Sequence, residues 1–155
     1  MDSDRLNRWL TLGANIGVLI GIILLIVELD QNRDMMRAQT RNEISRATID
    51  MIGLWAGNPS LADAIVRANR GEELGPAKAF MVRARNETVL RHWENTHYQY
   101  RQGLYDQSEF DASIATYSAI ISQQPALMES WCLTRSSYSV EFAEQLQSLL
   151  PAGSC

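Results

Sequence analysis

The residues best suited to chemistry lie in one run, Arg91-His92-Trp93-Glu94-Asn95-Thr96-His97-Tyr98-Gln99-Tyr100, which contains both histidines of the chain. Glu94 and His97 have the Glu-x-x-His spacing with which di-iron carboxylate bundles hold metal from one helix face. Such a centre needs two of these pairs and two further glutamates. One chain supplies a single pair, so a metal would require symmetry-related copies. The same two residues are a conceivable general acid and base, but no nucleophile is set against them. There is no Gly-x-Ser-x-Gly elbow, no cysteine with a nearby histidine and no glycine-rich phosphate loop. We therefore read Arg91, Trp93, Glu94, Asn95, His97 and Tyr98 as a structural polar cluster that fixes helix packing. No catalytic residue, metal or cofactor is assigned, and an enzyme using the Glu94/His97 region is the alternative from another class.

The element carrying this cluster is a long helix that Pro76 opens and that runs to about Gln102, where Gly103 stops it. Val82, Val89, Trp93, Thr96 and Tyr100 make its buried stripe, and Glu87, Arg91, Glu94 and Tyr98 line another face. Around it, Asn58-Pro59 begins a short helix to Asn69 that ends at Gly71. Asp106 with Glu109 forms a capping box for a helix to about Gln123. Gln124-Pro125 starts another helix through Arg135, and Ser139 caps a last one ending at Leu150 before Pro151. No alternating strand pattern competes, so the fold class is all-α.

At the other end of the chain, Trp9–Val27 is 19 residues without a charge. As a helix it measures roughly 28 Å, close to the ~30 Å hydrocarbon core of a bilayer. It reads as an uncleaved transmembrane anchor. A signal peptide has a shorter apolar run, and no small-x-small cleavage site follows here. The expected division is 1–28, tail and anchor, and 29–155, a soluble helical domain. Trp9, Glu28, Gln31 and Asn32 mark the membrane boundaries. Helical periodicity continues past Glu28, with a core stripe through Leu29, Met36, Thr40, Ile44, Ala47, Met51 and Leu54. Arg33, Arg37 and Arg41, four apart, are placed to touch lipid headgroups or to form a solvated face with local pairs.

Gly13, Gly17 and Gly21 recur every fourth residue, a double GxxxG along one helix face that lets another helix approach closely. Thr11 and Asn15 lie on the opposite side, and an amide inside a bilayer needs a partner. Two demanding faces fit a homo-oligomer of three or more chains, or a larger membrane complex. Orientation rests on two arginines before the anchor (Arg5, Arg8) and three after it, which leans the C-terminal domain to the cytoplasm.

The remaining 125 or so residues suit one domain. A net charge of −4 with pI near 5.2 argues against a dedicated nucleic-acid binder. Cys132 and Cys155 are the two cysteines. With no CxxC and no Cys/His cluster, neither a zinc site nor a disulfide framework is expected, and Cys132, between Trp131 and Leu133, reads as a small buried hydrophobe.

Several of these residues together resemble a widespread group of uncharacterised small bacterial single-span membrane proteins with a helical C-terminal domain. The shared features are the anchor ending in Glu28, Gln31 and Asn32, the helix with Trp93, Glu94, Asn95, Tyr98 and Gln99 ending at Gly103, and the late Trp131 and Phe142. The resemblance implies a bacterial inner (cytoplasmic) membrane and this architecture, but no activity. The expected function is a single-pass, membrane-anchored helical interaction or scaffold protein that self-assembles or serves as an accessory subunit, with lipid and other membrane subunits as partners. The alternative is a small homo-oligomeric channel, with Thr11 and Asn15 lining a pore and Glu28 at its mouth.

Overall fold

The computed structural model describes residues 2–151 and 153–155. Its described elements are helices α1 (Ser3–Ala56), α2 (Pro59–Asn69), α3 (Pro76–Arg101), α4 (Gln107–Gln123), α5 (Pro125–Thr134) and α6 (Val140–Ser148), with a 3-10 turn at Arg135–Ser137 between the last two. No strand occurs among the described residues, and the all-α class is established. The chain forms two compact units, Met1–Gln39 and Thr40–Cys155.

The first unit is helical from Ser3 onward. Its apolar side chains bury nothing: Ile16, Leu19, Ile23 and Leu25 are each half or more exposed. It contains a stretch long and apolar enough to cross a membrane.

The second unit has a conventional core. Trp131 and Phe142 are fully buried at its centre, with Leu90, Ile121, Leu127 and Leu146 around them. Trp93 stacks on Tyr117 at 4.3 Å between ring centroids, tying α3 to α4. Local signals set the helix ends. Asn58 Oδ1 accepts the Leu61 N–H at 3.1 Å and Pro59 occupies the first turn of α2. Gly71 and Gly103 take φ of +72° and +70°, the left-handed conformation that terminates a helix at low cost to glycine. After each, the next N–H reaches back five residues, Glu72 to Arg67 O and Leu104 to Gln99 O, both at 3.0 Å.

Three expectations are corrected. The α1 stripe within this unit runs through Thr40, Ile44, Thr48, Met51 and Trp55 rather than through Ala47 and Leu54; Leu54 is 69% exposed. Trp55 displaces it because the larger ring packs against the core and covers Arg85, whose Cζ lies 4.6 Å from its centroid. Asp106 and Ser139 sit at N-cap positions but make no side-chain capping bond. Finally, Cys132 is not a free buried thiol: it is disulfide-bonded to Cys155, with Cα atoms 5.3 Å apart. A turn closed by Ser154 N–H to Pro151 O at 3.1 Å precedes Cys155. The spacing rules for cysteine frameworks do not detect a single bridge of this kind.

Candidate functional site

Helix α3 positions the polar cluster, and its contacts are those of a fastening. Glu94 Oε1 accepts the backbone N–H of Ser139 at 2.8 Å, so a glutamate from another helix caps α6 where the Ser139 hydroxyl does not. Glu94 Oε2 pairs with Arg91 Nη1 at 2.9 Å. Arg91 Nε donates to Glu87 Oε1 at 2.8 Å, Nη1 also reaches Ser137 O at 3.2 Å, and the guanidinium lies 4.2 Å over the Tyr138 ring. Tyr138 donates its hydroxyl to Glu87 Oε2 at 3.0 Å. Both oxygens of Glu94 thus face the start of α6 and Arg91.

His97 stands elsewhere. It is buried, with Phe110 and Phe142 rings at 5.8 and 5.9 Å. Desolvation pushes its pKa down, and Arg101 adds to the shift against the smaller opposing effects of Glu141 and Glu94. Trp93 belongs to the core, Asn95 accepts a long 3.5 Å bond from Gln99, and Tyr98 is exposed. Among the described residues no group of three His, Cys, Asp or Glu could hold a metal ion.

On α1, a Cβ added at Gly13, Gly17 or Gly21 would meet nothing within 4 Å. Packing within this chain therefore gives no reason for glycine at these places. Thr11 returns its hydroxyl to Asn7 O at 2.9 Å, while Asn15 and Trp9 are exposed. Glu28, Gln31, Asn32 and Arg33 are exposed, Arg37 is half-buried, and Arg41 forms a 2.8 Å ion pair with Glu109 of α4. The three arginines are therefore not equivalent.

Sequence reasoning missed a solvent-open cavity of about 480 Å³ in the second unit, between the last turns of α1 and helices α3 and α4. Arg85 lines it, 8% exposed. So do His92 and Thr48, joined by a 3.0 Å bond from Nε2 to Oγ1. Thr48 donates its own hydrogen to Ile44 O at 2.9 Å, which makes its oxygen the acceptor and His92 Nε2 the donor. Burial pushes the His92 pKa down, consistent with a neutral ring. The available signal was register: Arg85 follows Val82 by three and precedes Val89 by four, on the stripe assigned to the core. Comparison with protein-family models, with curated proteins and with solved structures finds no match.

Proposed function

We propose that this chain is a single-pass membrane protein whose N-terminal helix both anchors it and joins it to neighbouring helices, and whose second unit is a helical interaction module. The observation that supports this most strongly is the contrast between the two units. The Thr40–Cys155 unit buries a core of large apolar side chains, among them Leu90, Trp131 and Phe142, whereas the Trp9–Val27 run exposes every one of its own. Water does not tolerate an apolar surface of that size unless something covers it, and a bilayer covers it at the matching length. The glycine face supports helix association, because close backbone approach is the use that remains for Gly13, Gly17 and Gly21. Asn15, on the other side, gains from a second helix neighbour. A homo-oligomer of three or more chains, or a place in a larger complex, satisfies both faces. The polar cluster at Glu94 works as a structural fastening in this reading.

The side of the membrane follows from weighing two signals. The arginine count differs by one across the anchor, whereas a disulfide is rare in reducing compartments. The Cys132–Cys155 bridge therefore outweighs the count, and we assign the second unit to the oxidising, non-cytoplasmic face, in place of the cytoplasmic side that the arginines favour.

The assembly is tested by substituting Gly17→Ile and measuring the mass of the detergent-extracted protein. A β-branched side chain at the centre of the face should block close approach and lower the oligomer mass, while Leu25→Ile should leave it unchanged. An unchanged mass for Gly17→Ile would remove the glycine face as an interface.

A further inference from the structure

Arg85 is the anomaly of the second unit. It is more than nine-tenths buried, and no carboxylate among the described residues pairs with it. Its Nη1 donates to two neutral acceptors, Asn86 Oδ1 at 3.0 Å and Gln124 Oε1 at 2.7 Å, and its Nε–H has no acceptor. The Trp55 ring offsets part of the burial cost through its face. A buried cation without a counter-charge is nonetheless one of the least favourable arrangements in a fold.

The same side chain lines the 480 Å³ cavity, a volume within the range of about 300–1,000 Å³ typical of small-molecule sites. The other charged residues lining it cancel, since Arg41 and Glu109 pair with each other. His92 donates to Thr48. What remains is an apolar wall, with Ile44, Ile52, Val89 and Ile120, a few hydroxyl side chains such as Ser113 and Thr116, which donate to backbone carbonyls of their own helix, and one uncompensated positive charge.

We propose that this cavity binds an amphipathic carboxylic acid, with its hydrocarbon body along the apolar wall and its carboxylate against the Arg85 guanidinium. A guanidinium matches the planar carboxylate in shape and hydrogen-bond geometry. A monoanion also neutralises the site, whereas a phosphate dianion would leave a buried negative charge in excess. The inference rests on the Thr40–Cys155 unit alone, so it stands or falls separately from the anchor.

The test uses the full chain in a neutral maltoside detergent. Octanoate, octan-1-ol and octyl phosphate are titrated at pH 7.5, with tryptophan fluorescence as the readout because Trp55 and Trp93 line the cavity. Octanoate should bind saturably, at least tenfold more tightly than octan-1-ol. Arg85→Met should weaken octanoate at least tenfold and leave the alcohol unchanged. Ala112→Trp, at an exposed position on the cavity lip, should weaken both with the arginine intact, and it decides the matter together with the acid–alcohol comparison if Arg85→Met does not fold. Equal affinity for acid and alcohol, non-saturable uptake, or octanoate binding indifferent to the substitutions would overturn the proposal. Tighter binding of octyl phosphate than of octanoate would overturn the choice of ligand.

Discussion

Glu94 uses one carboxylate oxygen to hold the N–H of Ser139, at the start of α6, and the other to hold Arg91, which in turn packs on Tyr138. Glu94→Ala removes the acceptor of the Ser139 N–H and one partner of Arg91, both of which water can reach, and should cost about 0.5–1.5 kcal/mol of stability in a urea melt. His97 carries a pH dependence. Its pKa is lowered in the folded state by burial and then by Arg101, so the unfolded chain binds the proton more readily. Its contribution to stability is complete above the ordinary histidine value near 6.5 and is lost as pH falls through that value towards the folded pKa. The thermal midpoint should drop between pH 7.5 and pH 5, and His97→Gln should flatten part of the slope; a slope identical to the parent's would remove His97 as its source. The Glu94 cluster was visible in the sequence because its residues are adjacent on one helix. The capping of α6 across the fold was not, because Glu94 and Ser139 are 45 positions apart. Arg85 was hidden for a different reason. A charge on a core register reads as an exception to periodicity until its surroundings are known.

The helices were the most legible elements, since Asn58-Pro59, Pro76, Gly71 and Gly103 each act locally on backbone conformation. The limits of α2 agree with the expectation, and α3 ends one residue earlier, at Arg101. Which face α1 buries was less legible. Over the fifteen residues from Thr40 the two candidate stripes diverge slowly at 3.6 residues per turn, and the choice depends on Trp55 meeting Arg85 and the core. The Cys132–Cys155 bridge joins α5 to the segment after α6 across a separation of 23 residues. A closed loop of that size restricts the unfolded chain by about 3 kcal/mol in the chain-entropy description. Cys155→Ser should therefore lower the thermal midpoint, and reductant should lower the parent to the same value while leaving the variant unmoved. A variant as stable as the parent would show that the bridge does not constrain the unfolded chain.

For the molecule as a whole, the decisive physical fact is an uncharged 19-residue helical run whose side chains bury nothing, in a chain whose other unit has a closed aromatic core. Membrane insertion, assembly through Gly13, Gly17 and Gly21, and placement of the disulfide-bonded unit on the non-cytoplasmic face all depend on that run being an anchor. The most direct measurement is alkaline carbonate extraction of membranes from cells expressing the full chain, followed by intact mass and N-terminal sequencing. The account predicts a chain that resists extraction and retains residues 9–27. A soluble product beginning near Asp30 would contradict it.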